Sequence, residues 1–225
     1  MDRKLISIEG LDGSGKTTQT ELLCRDLENR GVRFRHVSFP NYGEPYSAPV
    51  RMYLGGAFGT GPGDVNAYAA SSFFAVDRFA SFSTDWKKDY QNGTPIVADR
   101  YTTSNIVYQL PKLPKEEWNG FIDWIQDYEY EKLGLPRPDL TVYLDMPASV
   151  SRELLGIRYH GDEGKEDIHE RNESYLSSCR ESAVYAAGLL GWRVVACAES
   201  GRPKEVGRIH DEIIKILAEE LPFYV

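Results

Sequence analysis

Short apolar, β-branched runs recur along the chain at Lys4 to Glu9, Arg33 to Ser38, Pro95 to Asp99, Leu140 to Asp145 and Trp192 to Cys197. Each is separated from the next by enough residues to hold a helix, a rhythm that predicts a parallel sheet with crossover helices. Between the first two runs, Lys16 to Arg30 carries Leu22, Leu23 and Leu27 and stops at Gly31, a residue suited to the turn that ends a helix. Ala69 to Asp89 and Lys115 to Leu133 read as further helices. The second sets Trp118, Phe121, Ile122, Trp124, Ile125 and Tyr128 along one face, a stripe for core packing or a subunit contact. Lys204 to Leu221 places Val206, Ile209, Ile213, Ile216 and Leu217 on one side and charges on the other, as a packing helix does.

Two segments break the rhythm. Asn41 to Asp64 is rich in Pro and Gly and predicts flexible surface with a short helix around Val50 to Leu54. Tyr159 to Lys165, polar and glycine-bearing, has the composition of a mobile lid or of an exposed loop. No repeat and no linker divides the chain, so residues 1–225 read as one domain with a lid at about 152–168.

Composition narrows the function. The chain has 26 Lys+Arg against 34 Asp+Glu, a net charge of −8 that opposes a broad nucleic-acid or acidic-membrane surface but allows a local basic pocket. No stretch approaches the roughly 18 to 20 apolar residues of a membrane helix. The start of the chain lacks the apolar run and cleavage site of a signal peptide and reads as a strand. Cys24, Cys179 and Cys197 have neither metal nor redox spacing, which fits buried thiols in a cytoplasmic protein. His36, His160, His169 and His210 show no metal spacing either and predict surface or helix-end roles.

Directly after the first strand stands Gly10-Leu11-Asp12-Gly13-Ser14-Gly15-Lys16-Thr17, followed by Thr18, a Walker A pattern. Glycines let the backbone curl so that its amides face phosphate oxygens; Lys16 adds a cation for the β and γ phosphates, and Thr17 a hydroxyl for Mg²⁺. The bare pattern arises by accident in roughly one chain in a hundred of this length, and the strand before it and helix after it lower that further. The prediction is an α/β protein of the P-loop NTPase type: a three-layer αβα sandwich on a five-stranded parallel sheet, binding ATP.

A switch, a motor and a phosphoryl donor site all bind triphosphates, so other residues must decide. No guanine-reading Asn-Lys-x-Asp is present. Pro95 to Arg100 is a buried strand ending in Asp99, suited to the metal directly or through water, and Arg100, suited to forking onto a phosphate. Asp145, at the end of another strand, reads as a structural turn residue. Phe74 and Arg78 lie four apart on one helix face, where ring and guanidinium can stack on and read a base, or form a core Phe beside an exposed Arg. Ser104, Asn105 and Tyr108 bring polar groups near the same strand end, for a base and sugar or for a helix cap.

Together these residues resemble the thymidylate kinases, which phosphorylate dTMP with MgATP. The likeness rests on Glu9 to Gln19, Phe39-Pro40 with Tyr42-Gly43, Phe74 to Arg78, Asp99-Arg100-Tyr101 with Ser104-Asn105 and Tyr108, and Leu133-Gly134-Leu135-Pro136 with Pro138-Asp139, and spans nearly the whole chain. It implies that Phe74 stacks on thymine, that Arg78 and Asn105 contact its polar edge, and that Arg100 holds the acceptor phosphate. It further implies that Tyr108 crowds the 2′ position, that Asp12 lies near the acceptor sugar and phosphate, and that the protein is a homodimer. Gly13 places the chain with family members that take their transition-state cation from the lid, where Arg158, Lys165 and Arg152 are candidates. Asn41 stands where many members have Arg, and Asp167 and Glu170 resemble the family's acidic pair.

A phosphate monoester is largely ionised at pH 7, so such an acceptor needs no general base. The protein has instead to hold two polyanions in line, with Lys16, Arg100, Mg²⁺ and a lid cation offsetting their repulsion. A nucleoside hydroxyl as acceptor would recruit Asp12 or Glu9 as base, which makes a deoxynucleoside kinase the nearest enzymatic alternative; a non-catalytic P-loop nucleotide sensor is the alternative from another class.

Overall fold

A computed structural model of the chain describes residues 4–158, 168–169 and 172–221. The expected strands form at Leu5–Gly10 (β1), Arg35–Ser38 (β2), Ile96–Asp99 (β3), Leu140–Asp145 (β4) and Arg193–Ala196 (β5). They make one all-parallel sheet in the order β2-β3-β1-β4-β5. The chain thus steps outward, returns beside β1 and crosses to its other side. The carboxyl ends of β1 and β3 lie together in register, Ile8 opposite Asp99, in the region where open α/β sheets receive ligands.

Successive strand residues face opposite sides, and both sides are covered. Ile6, Ile8, Val97 and Val142 pack with Leu23 and Leu27 of α1 (Lys16–Asn29) and with Ile209, Ile213, Ile216 and Leu217 of α9 (Val206–Glu220). The other side carries α5 (Thr103–Gln109), α6 (Trp118–Gln126) and α8 (Glu173–Leu190), with Val107, Phe121, Ile122, Leu176 and Ala183 around Tyr143. These are the three layers of the expected sandwich. Glu9, alternating with Ile8, lies on the α5 side as a fully buried carboxylate.

Several boundaries and burials differ from the sequence reading. Ala69 to Asp89 is a continuous helical rod of α3 (Ala67–Ser81), a π-helical stretch (Phe82–Trp86) and α4 (Lys87–Gln91). Lys115 to Leu133 becomes a 3₁₀ turn, α6 and a second π-helical stretch (Asp127–Lys132). The segment from Asn41 to Asp64 is not simply flexible surface: α2 (Ala48–Leu54) buries Val50, Tyr53 and Leu54 against Ala70, so its apolar residues outweigh its glycines. Val206 is not on the packed face of α9; it is 49% exposed at the first turn, before the helix reaches the core. A small hairpin, β6 (Ala198–Glu199) with β7 (Arg202–Pro203), follows β5. Cys179 and Cys197 are buried and Cys24 is half-buried; burial pushes Cys24 up to about 11 and Cys197 up to about 12, leaving both as unreactive thiols at neutral pH. Asp145, read from the sequence as a turn residue, is instead the last residue of β4 and accepts Arg180 of α8 bidentately at 2.6 and 2.8 Å. Among the described residues no helix is long and apolar enough to cross a membrane.

The expected lid begins within α7 (Ala148–Arg158), of which Arg152 is an exposed residue and Arg158 the last. His160, Lys165, Asp167 and Glu170 lie outside the described residues.

Candidate active site

The glycine turn folds as its sequence requires. Gly10, Gly13 and Gly15 have φ of 159°, 76° and 88°, the last two in the left-handed region that side chains disfavour. The close packing of α7 over the loop makes Gly13 doubly constrained. A Cβ there would stand 2.5 Å from the Ser151 carbonyl oxygen, and Ser151 Oγ donates to the Asp12 carbonyl. An arginine at position 13 would therefore require α7 to move away from the loop.

Gly13 to Gln19 line a cleft of about 2150 Å³ that extends over Asp99, Arg100, Leu154 and Val206. Lys16 Nζ donates to the Leu11 carbonyl at 2.7 Å and lies 3.7 Å from Asp12. Burial and the nearby Arg100 push Lys16 down to about 8, against the opposing pull of Asp12, Asp99 and Glu9. Thr17 Oγ1 donates to Asp99 Oδ2 at 3.0 Å, so the two residues expected at a metal stand side by side.

A second cleft, of about 490 Å³, adjoins the first; Asp12, Phe39, Pro40, Tyr42 and Arg100 line both. Phe74, Arg78, Ser104, Asn105 and Tyr108 line the second, so all the residues expected around an acceptor nucleotide converge on it. Arg100 sits at the junction with φ 64°, a left-handed conformation unusual for a side chain and one that clusters at functional sites. Its Nη2 donates to Asp12 and, at 3.2 Å, to the Tyr108 hydroxyl; its Nη1 donates at 3.3 Å to Glu9, to the Gly10 carbonyl and to Ser104. Burial alone raises the Asp12 carboxyl, but Arg100, Lys16 and Tyr108 outweigh it and hold Asp12 well below the usual carboxylate range.

Glu9 organises this end of the site. Its Oε1 accepts from Gly10 N–H at 2.9 Å and from Arg100, and its Oε2 accepts from Thr103 and Ser104 at 2.9 and 2.7 Å. Thr103 and Ser104 thus anchor α5 to β1 instead of capping the helix.

Arg78 corrects the reading of a core Phe beside an exposed Arg: it is 1% exposed, while Phe74 is only half-buried. The cause is Glu129, fully buried, whose oxygens accept Arg78 Nε and Nη2 at 2.6 Å each and Asn105 Nδ2 at 2.8 Å. His169, expected at a surface or helix end, is also buried. It meets Tyr53 Oη at 2.8 Å and stacks on Tyr108 with centroids 5.3 Å apart and planes at 17°. Burial and the adjacent Lys112 push His169 down to about 3, so it is neutral. Gln109 lines the same cleft, fully buried, and neither end of its amide has a hydrogen-bond partner among the described residues.

Glu129 carried a legible signal, since it falls four residues after Ile125 on an otherwise apolar stripe. Gln109 sits between apolar neighbours and offered a weaker one. His169 offered none, because α2, its partner, is distant in sequence.

Comparison with known proteins identifies the family and the fold. The family model for thymidylate kinase matches residues 8–206. Thymidylate kinase of Mycobacterium tuberculosis H37Rv is 34% identical over 197 residues, covering 84% of this chain and 87% of that protein. A probable thymidylate kinase of Pyrobaculum aerophilum is 29% identical over 210 residues, covering 93% and 95%. The solved structure of Candida albicans thymidylate kinase shares the fold, with a TM-score of 0.69 at 23% identity over 96% of this chain and 91% of that one. A family match over most of the length, with relatives of the same name covered nearly end to end, leads to one conclusion: the chain belongs to the thymidylate kinase family, enzymes that phosphorylate dTMP.

Proposed function

We propose that the larger cleft seats ATP, with its triphosphate on Gly10 to Thr18, and that the smaller one seats dTMP, so that the γ-phosphoryl and the acceptor phosphate meet at Arg100. The observation that carries this reading is that the two clefts adjoin and share Arg100 and Asp12. Phe74 offers a face for thymine, Arg78 and Asn105 its polar-edge partners, and Tyr42, Ser104 and Tyr108 line the sugar and phosphate end. Thr17 and Asp99 supply the oxygen ligands for Mg²⁺. Among the described residues no cluster of three His, Cys, Asp or Glu could hold a metal alone, which suits an ion that completes its shell with water and nucleotide oxygens. When bound there, magnesium neutralises charge on the donor phosphates. Lys16 and Arg100 then balance the two polyanions and hold the reacting oxygens in line.

The low basicity of Asp12 and the burial of Glu9, which lines neither cleft, give a nucleoside hydroxyl no effective base. This favours a phosphate acceptor over a nucleoside, and the complete acceptor constellation favours an enzyme over a sensor. Arg158, at the end of α7, is the lid cation in this reading. The exposed Tyr68, Val76 and Phe79 of α3 support a homodimer, and the unreactive thiols support a cytoplasmic setting.

A coupled assay with MgATP over a panel of nucleoside monophosphates, with thymidine beside them, tests the proposal. dTMP should be the preferred acceptor, and Lys16→Ala and Arg100→Ala should each lose most turnover while remaining folded. Phosphorylation of thymidine alone, or full activity in both variants, would overturn it.

A further inference from the structure

The base end of the acceptor cleft depends on a carboxylate that does not itself line the cleft. Glu129 is fully buried within the π-helical stretch after α6. Such stretches shift the side-chain register within a helix and are frequent at functional sites. Three hydrogen bonds converge on Glu129, two from Arg78 and one from Asn105. A buried carboxylate loses its hydration, and these charged and polar donors replace it.

The consequence lies in which atoms remain for the cleft. Asn105 Nδ2 donates to Glu129 and, at 3.1 Å, to the Ser71 carbonyl, so both of its hydrogens are used. The pole of the amide left for the cleft is Oδ1, an acceptor. Arg78, which lines the same cleft, uses Nε and one Nη2 hydrogen on Glu129, which leaves only donors, on Nη1 and Nη2, for other partners. A donor group and an acceptor at fixed positions complement an imide edge, which offers a carbonyl oxygen and a ring N–H. Cytosine presents the opposite pattern, an amino donor and a bare ring nitrogen.

We propose that Glu129 is a positioning residue that sets acceptor-base specificity by fixing the Asn105 amide and the Arg78 guanidinium in the orientation that accepts thymine or uracil and refuses cytosine. The proposal rests on the assignment of the smaller cleft to the nucleobase.

Glu129→Gln tests it with nearly the same shape. A glutamine removes the charge and one of the two acceptor oxygens, which loosens the Arg78 guanidinium and leaves the Ser71 carbonyl as the partner of Asn105 Nδ2. The selectivity between dTMP and dCMP should therefore shift in this variant. For dTMP, kcat/KM should fall by roughly 10- to 100-fold, mostly through KM, and the dCMP-to-dTMP ratio should rise by about 10-fold or more. Glu129→Asp keeps the charge and should keep the wild-type ratio even where it weakens dTMP binding. Far-ultraviolet circular dichroism and thermal melting establish that both variants fold. An equal loss for both nucleotides, or an unchanged ratio in folded Glu129→Gln, would overturn the proposal. If Arg78→Ala and Asn105→Ala leave dTMP KM at the wild-type value, the cleft assignment fails instead, and the two failures are told apart.

Discussion

The Tyr108 hydroxyl donates to Asp12 Oδ2 at 2.8 Å and accepts from the Asp12 N–H at 3.2 Å, tying α5 to the middle of the glycine turn. Arg100 Nη2 reaches the same hydroxyl at 3.2 Å. Removing it frees Asp12 and Arg100 together, although the ring stays stacked on His169. Tyr108→Phe should lower kcat/KM for dTMP by about 10-fold, as the loss of one hydrogen bond beside charged groups predicts, with little change in melting temperature. Steady-state kinetics at saturating ATP provides the check, and an unaltered kcat/KM would show that the tie carries no weight in turnover.

Lys16 makes nucleotide binding pH-dependent. Its value of about 8 reflects burial and Arg100, and an arriving triphosphate raises it by adding negative charge. Above that value binding takes up a proton, so ATP affinity should fall as pH climbs past about 8 while binding below it stays level. Calorimetry at about pH 9 in two buffers of different ionisation enthalpy should register the uptake, and Lys16→Met should abolish it. Equal heats in both buffers would contradict this.

His169 governs the acid side of stability. Its folded value, about 3, lies below the ordinary 6.5 because of burial and Lys112. The unfolded chain therefore binds a proton that the folded chain refuses, so stability present above about pH 6.5 is lost as pH falls towards 3. The slope is roughly 1.4 kcal/mol per pH unit for one proton. Urea unfolding between about pH 6.5 and 4.5, above most carboxylate titration, should show a shallower slope in His169→Gln than in the wild type. Lys112, pushed down to about 8 by burial, acts in the alkaline range, where stability should rise as pH goes from about 8 to 10.5.

Packing of α7 against Gly13 decides where a transition-state cation can come from. Gly13→Ala must move the Ser151 carbonyl or strain a φ of 76°, and should cost about 1–3 kcal/mol in stability together with much of the ATP affinity. With glycine at position 13 in place of an arginine, Arg158→Ala should slow the chemical step in single-turnover experiments more than it weakens dTMP binding. An unchanged rate would transfer the role to Lys165 or Arg152.

Much of this was legible in the chain itself. The five strands, α1 and the glycine turn follow from local patterns, because each is specified by neighbours within a few residues. The residues proposed for the acceptor were visible as motifs, and the structure gathers them on one cleft, with Arg100 shared by its neighbour. What escaped were groups defined by partners far away in sequence. Glu129 meets Arg78 and Asn105 from a separate helix, His169 meets Tyr53 across 116 residues, and Val206 lies outside a packed face that begins only at Ile209. Periodicity assigns residues to a face but does not say whether a charge on that face has found its counter-ion.

The fourfold engagement of Glu9 gives the molecule a division of labour. It binds the strand tip, Arg100 and the start of α5 into one rigid bracket at the anion end, while the base end hangs from a different acid on a different helix. Changes meant to retune which pyrimidine enters can therefore be made around α3 and α6 with the anion bracket left whole, a separation that makes this scaffold a tractable starting point for engineered nucleotide preference.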